Sequence, residues 1–499
     1  MISNVISASP HGTDALRVFV EADLNYGLPS FSIVGLPDSS VRESKERVRS
    51  AILNSGYDFP AMRITLNLAP ADIRKEGATF DLPIAIAILT CLGVIPLERV
   101  SMYMFVGELG LDGSLRPVNG VVAAAFLARK LGLRGIICPS HNTMEASLAG
   151  IGVWPTDDLK NAVKILLEDM DPTRLDPWDR LAHEPDHLAD LSEIQGQSTA
   201  KRAMEIAAAG AHNMLMIGPP GAGKSMMAKR LPSILPPLTR EEIIECTRIY
   251  SAAGHLRGNT IVTQRPFRAP HHTISDAGLI GGGSVPVPGE VSLATNGVLF
   301  LDELPEFRRG VLESMRQPLE DGEVTVSRAS ASVTFPARFQ LIAAMNPCPC
   351  GFLGHPYKEC RCTPTQIAKY RSRVSGPLMD RIDLHVWVDP VDVGSIVSPQ
   401  GSERSSAVRQ RIIGAREIQL ERGFLNARIP DGLLDEICPL DRESKDILIS
   451  AVRHFSLSMR GFKRVIKVAR TIADLENVTH IGKHHIAEAL QYRPEMENR

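Results

Sequence analysis

The chain has 499 residues, enough for about three domains of usual size, and its 44% apolar and 22% charged residues are ordinary for a soluble globular protein. Its 55 basic and 57 acidic residues leave a formal net charge of -2, so any nucleic-acid binding has to come from local basic patches. The N-terminus lacks the basic stretch and long apolar core of a signal peptide. The longest apolar run, Leu82 to Leu97, is broken by Thr90, two prolines and a glycine and falls short of the ~20 residues a membrane helix needs. A cytoplasmic protein without a membrane segment is expected.

In the first stretch, Ala15 to Glu21 and Arg63 to Leu68 alternate as strands do, while Ser44 to Asn54 and Gly120 to Leu131 carry a helical period. Residues 1–170 therefore read as an α+β domain. Two of its segments, Pro70 to Phe80 and Val118 to Lys130, the latter followed by Arg134 to Asn142, resemble the proteolytic domain of Lon proteases. That family carries a nucleophilic serine in the first segment and an activating lysine in the second. Here the serine position holds Thr79, and the lysine position falls in the apolar Gly120 to Ala123. A nucleophile without a base is weak, so a catalytically inactive domain used for assembly or substrate contact is expected.

Residues 171–190 are rich in proline and charge and lack an apolar period, which predicts a linker. Leu191 to Arg202 then leads into a helix through Gly210. The apolar run Met214 to Ile217 precedes Gly218, Pro219, Pro220, Gly221, Ala222, Gly223, Lys224 and Ser225, a complete G-x-x-x-x-G-K-S loop, and a helix-competent segment from Met226 follows. Such a loop turns successive N–H groups toward phosphate oxygens at a helix N-terminus. Lys224 is placed to reach β- and γ-phosphates, and the Ser225 hydroxyl to ligate their Mg2+. Gly297 to Leu301 predicts a buried parallel strand ending in Asp302, suited to Mg2+, and Glu303, suited to orienting the attacking water. ATP and Mg2+ are the expected cofactors.

Between these motifs lie Arg265 to Gly283 and Pro288 to Gly297, and after them Ala343-Ala-Met-Asn-Pro347. Together with the phosphate loop they resemble the magnesium-chelatase-like AAA+ ATPases, and the fused Lon-like domain resembles the ComM/YifB branch. The likeness covers nearly the whole chain. It implies that Leu191 to Arg202 lies across the adenine, that Asn346 orients water near the γ-phosphate, and that Arg381, in Gly376 to His385, is an arginine finger. A finger acting on a neighbour implies a ring, by resemblance a homo-hexamer. Arg381 read without the family is a helix-end residue paired with Asp380 or Asp383. His271 and His272 are adjacent and converge poorly on one ion, which favours an inter-subunit or loop role.

Glu323 to Phe335 alternates like two strands joined near Arg328. In this family the hairpin points into the ring pore, so Arg328 is the candidate DNA-phosphate contact. Cys348, Cys350, Cys360 and Cys362 flank a turn-rich loop that includes His355; a structural Zn2+ site and a set of reduced thiols are both open readings. Four C-terminal helices, Val408 to Arg422, Ser444 to His454, Arg460 to Glu476 and Lys483 to Tyr492, predict an all-α lid over 396–499. Its Ser458 to Ala473 segment resembles a helix in which an arginine reaches the nucleotide, with Arg460 the first candidate and Arg464 the second.

The expected fold class is α/β: an AAA+ P-loop domain with a parallel sheet over 191–395, the N-terminal α+β Lon-like domain and the C-terminal α-helical lid. The family implies an ATP-driven DNA motor, a helicase that migrates branched junctions during recombination in natural transformation. Single-stranded or branched DNA and recombination proteins would be its partners. The competing readings are a chelatase-type ATPase remodelling a protein partner, and ATP-dependent proteolysis, which needs the missing dyad.

Overall fold

The computed structural model describes residues 2–72, 75, 77–178, 189–256, 258, 260–283, 286–327, 332–390, 403–455 and 458–493. Two compact units emerge. The first comprises Met1–Glu184, Thr239–Thr263 and Pro286–Pro288, and the second comprises Pro185–Leu238, Gln264–Val285 and Gly289–Arg499.

In the first unit, β1 (Ile2–His11) and β2 (Asp14–Asn25) form a hairpin running from the pair Ile2 and Asp23 to the pair His11 and Asp14. With β3 (Ser30–Val34), β4 (Arg63–Ala69), β5 (Tyr103–Phe105), β6 (Gly135–Pro139) and β7 (Gly152–Thr156) they make a mixed sheet in the order β3-β4-β2-β1-β5-β6-β7. Apolar residues at alternate positions send Val18, Val20, Ala22 and Leu24 to one face, where they meet α1 (Ser39–Asn54) and α2 (Asp81–Cys91). Asp38 caps α1, its carboxylate accepting from Val41 N at 2.7 Å.

Helix α2 is buried along its whole length and takes up most of the apolar run Leu82 to Leu97. It forms a core helix because a segment apolar all round gains most from burial on every side. Its one charge, Asp81, is fully enclosed and held by Arg47 at 2.7 and 3.1 Å, while burial pushes its carboxyl above the usual range against that pull. The other face of the sheet is covered by α3 (Val121–Lys130).

This unit also takes in the helix Arg240–Ala252, capped by Thr239, whose hydroxyl accepts from Glu242 N. Ser251 on that helix donates to the Glu145 carboxylate at 2.5 Å and accepts from Gly120 N at 2.9 Å. Asn142 donates to the same carboxylate, and burial raises the Glu145 pKa.

In the second unit, β8 (Met214–Ile217), β9 (Phe267–Arg268), β10 (Val298–Leu301), β11 (Glu323–Ser327), β12 (Ser332–Pro336), β13 (Gln340–Met345) and β14 (Leu384–Trp387) form two sheets. The larger is wholly parallel, in the order β9-β10-β13-β8-β14; β11 and β12 pair antiparallel as a hairpin. Strands β8, β10 and β13 are buried throughout, the pattern of a sheet covered on both faces. The two-residue side-chain period divides them between two cores. Met214, Met216, Val298, Phe300, Ile342 and Ala344 face one, and Leu215, Ile217, Leu299, Leu301, Leu341 and Ala343 the other.

Helices α5 (Ser198–Gly210) and α6 (Lys224–Ile234) contribute to the first of these cores. So do the C-terminal helices, among them α7 (Ser405–Glu421), α8 (Arg442–Phe455), α9 (Met459–Leu475) and α10 (Lys483–Gln491). Because α9 places Val465, Val468, Ala469 and Ile472 one turn apart, its apolar stripe packs inward, while Arg460 is exposed and Arg470 is buried against Asp474. The helix α4 (Leu159–Glu168) belongs to the first unit, where Val163 and Leu166 join the α1 and α2 side.

Candidate active site

Strands β10, β13 and β8 are neighbours in one parallel sheet, so their carboxyl ends open side by side, at the edge where such sheets bind ligands. From β8 runs the phosphate loop, from β10 the pair Asp302 and Glu303, and from β13 Asn346. Together they line a cleft of about 390 Å3 that includes Gly221, Ala222, Gly223, Lys224, Ser225, Asp302, Glu303 and Asn346. Pro220 also lines it, Gly218 and Pro219 adjoin it through their carbonyls, and Gly223 has the positive φ of +89° that brings the loop into α6.

Lys224 is buried, and its ammonium donates to Gly218 O at 2.7 Å, Pro219 O at 2.9 Å and Asn346 Oδ1 at 3.2 Å. Burial lowers its pKa, and the nearby Asp302 and Glu303 oppose that shift. The Ser225 hydroxyl donates to Asp302 Oδ2 at 2.5 Å, and Glu303 N to Asp302 Oδ1 at 2.9 Å. Glu303 itself has φ +52°, the left-handed region that a residue with a side chain enters at a cost and that clusters at functional sites. Its carboxylate projects beside His272, whose Nδ1 lies 3.5 Å from Glu303 Oε2. The sequence favours an inter-subunit or loop role for His271 and His272 and names no partner within the chain. No spacing rule pairs His272 with Glu303, because the two meet only once the loop folds over the end of β10.

The four cysteine sulfurs of the 348–362 loop lie within 4.8 Å of one another. No disulfide joins them, and the sulfurs stand 3.4 Å apart in Cys348 and Cys350 and 3.6 Å from each of these to Cys360.

Residues 190–396 match the family model "Magnesium chelatase, subunit ChlI", residues 20–142 match "Subunit ChlI of Mg-chelatase", and residues 402–493 match "Magnesium chelatase, subunit ChlI C-terminal". The "Uncharacterized protein YifB" of Salmonella typhimurium is 44% identical over 486 residues, 97% of this chain and 95% of its own. The "Competence protein ComM" of Haemophilus influenzae is 44% identical over 495 residues, 98% of this chain and 97% of its own. The chain belongs to the ComM/YifB family. Within it, the magnesium-chelatase-like AAA+ unit carries the cleft just described. A Lon protease of Koribacter versatilis is 29% identical over 143 residues, 27% of this chain and 17% of its own.

The Lon-like resemblance can be followed into the first unit of this ComM/YifB chain. Thr79 sits just before α2 and Gly120 just before α3, and both line one hollow with Asn119, Val121, Ala8 and Pro10. Among the described residues no lysine, histidine or carboxylate lines that hollow.

Arg381, Arg460 and Arg464 are not among the residues lining the cleft. Arg381 donates to Pro377 O at 2.6 Å and pairs with Glu320, rather than with Asp380 or Asp383. Arg460, on the first turn of α9, is exposed and lies 3.9 Å from the same Glu320. Arg464 lies against Asp383 at 3.6 Å and donates to Ile382 O. Arg328 lies outside the described residues, although β11 and β12 on either side of it pair as the alternation predicts. Among the described residues no helix is long and apolar enough to cross a membrane.

Proposed function

We propose that the protein is an ATP-driven, ring-forming DNA motor, a branch-migration helicase that aids homologous recombination in natural transformation. The convergence of Lys224, Ser225, Asp302, Glu303 and Asn346 on one cleft carries the ATPase part of this reading. The DNA part is supported by the near full-length similarity to a protein named for competence.

Lys224 pairs with the β- and γ-phosphates of the substrate ATP. Ser225 and Asp302 would hold Mg2+, a hydroxyl and a carboxylate already 2.5 Å apart being the hard oxygen donors this ion takes. When bound, the ion neutralises charge that develops on the phosphates. Glu303 orients the attacking water and accepts its proton, and Asn346 aligns that water from the neighbouring strand. Arg381 does not line its own subunit's cleft, which supports a role on a neighbour's nucleotide and hence a ring, by family analogy a homo-hexamer. Arg460 does not line the cleft and shares Glu320 with Arg381, so its role as the C-terminal arginine that reaches the nucleotide rests on the family resemblance, as does the contact of the Arg328 hairpin with DNA phosphates. The Lon-like domain, in which no lysine, histidine or carboxylate among the described residues lines the hollow of Thr79, serves assembly or substrate contact. The motor works in the cytoplasm, beside recombination proteins.

The test is ATP turnover measured with forked, single-stranded and duplex DNA at low salt. Stimulation is expected, falling steeply as salt rises because phosphate contacts release counterions. Equal turnover with and without DNA would instead favour a chelatase-type ATPase that remodels a protein partner, a reading that the description of the matching family models supports.

A further inference from the structure

We propose that Cys348, Cys350, Cys360 and Cys362 bind one zinc ion, and that this ion braces the phosphate-binding cleft. Four thiolates about 2.3 Å from a tetrahedral zinc stand roughly 3.8 Å apart. The closest sulfur separations here, 3.4 and 3.6 Å, approach that edge, whereas a disulfide would need about 2.05 Å. Backbone donors are already aimed at the sulfurs: Leu353 N at Cys348 Sγ, 3.4 Å, and Cys362 N at Cys360 Sγ, 3.5 Å. Such N–H groups favour the thiolate form that a metal takes. His355 stands apart from the set, its Nδ1 accepting from Tyr357 N and Lys358 N. With four thiolates every position is filled, so the ion is structural.

The place of the loop gives the ion its role. Cys348 follows Asn346 by two residues at the end of β13. Gly351, at φ +82°, packs so closely on the phosphate loop that a Cβ there would stand 2.6 Å from Pro220 Cδ. Gly354 backs onto Trp387 at the end of β14, and Arg371 donates to Pro347 O at 3.3 Å. The segment 348–362 has no helix or strand of its own. One ion bound by both ends of the segment therefore fixes the surface against which Pro220 and Asn346 rest. The brace rests on reading the cleft as the ATP site, and zinc binding does not.

Full-length protein purified without chelators should hold one zinc per chain by mass spectrometry. The metal-free protein should take up Zn2+ alone in competition with a chromophoric chelator, and Co2+ should give the absorption of a tetrathiolate. Cys350→Ser should lose that stoichiometry. Removing the ion from the wild type by chelation, then restoring Mg2+, should cut ATP turnover by up to roughly 100-fold, the scale of a 1 Å misplacement, and re-adding Zn2+ should restore it. Because that arm uses the wild-type chain, misfolding of the variant does not blur it. Well-folded wild-type protein that neither contains nor takes up zinc overturns the metal site. Zinc bound one per chain with turnover unchanged by its removal overturns the brace. Failure of the zinc-loaded protein to bind ATP overturns the cleft reading and the brace with it, and leaves the metal site standing.

Discussion

Replacing Lys224 by alanine tests the cleft most directly. Its ammonium ties two loop carbonyls and Asn346 together. Those bonds to a charged donor contribute about 1.5–3 kcal/mol each. The ammonium is also buried, and its desolvation costs several kcal/mol. The two effects offset, so Lys224→Ala is expected to change folding stability by no more than about 2 kcal/mol. Toward nucleotide nothing offsets the loss. Two unit charges 4 Å apart at an effective dielectric of about 20 attract by ~4 kcal/mol, equivalent to about 10³-fold. The assay pairs a denaturant midpoint with nucleotide affinity and single-turnover hydrolysis. Turnover above a tenth of wild type with unchanged affinity would refute the assignment of the loop, and unfolding of the variant would refute the offset.

Glu303→Gln should bind ATP normally and hydrolyse it slowly, since the amide keeps the shape and accepts no proton; lost ATP binding would make Glu303 structural. Arg381→Ala should keep nucleotide affinity while turnover falls by roughly 10³-fold, the scale an arginine finger supplies. Mixed rings of Arg381→Ala and Lys224→Ala should recover some hydrolysis, and no recovery in confirmed mixed rings would assign Arg381 to its own subunit. His385 is buried beside Arg493 and Arg464, and burial first, then those charges, depress its pKa from 6.5 to about 4. The folded state therefore favours the neutral ring: its contribution is complete above about pH 6.5 and is lost as pH falls toward 4, roughly 3 kcal/mol in all. Urea unfolding of wild type and His385→Gln across that window should show the wild type losing more stability than the variant, and parallel curves would exclude this group.

The phosphate loop, the Asp302 and Glu303 pair and the strands that carry them are legible in the sequence because each depends on neighbours along the chain. Glycines set the turn, four apolar residues make a buried strand, and β8 and β10 end at the predicted residues Ile217 and Leu301. The same holds for the four C-terminal helices, whose 3.6-residue period reports which side meets a core. Periodicity does not say which core. That the helices of 405–491 share one with the parallel sheet was decided by packing.

Pairings across long separations were likewise settled only in three dimensions. Ser251 and Glu145 meet across 106 positions, and through them a helix encoded between the two phosphate motifs becomes part of the first unit. Arg381 finds Glu320 rather than a nearby aspartate, and His272 finds Glu303. The four cysteines announce themselves by spacing, but their place against Pro220 and Asn346 follows from where β13 ends. The physical reason is common to all of these. Local propensity and burial period constrain a residue through the few neighbours its backbone reaches, whereas partner choice depends on strand order and on which loops share one sheet edge, a property of the assembled chain.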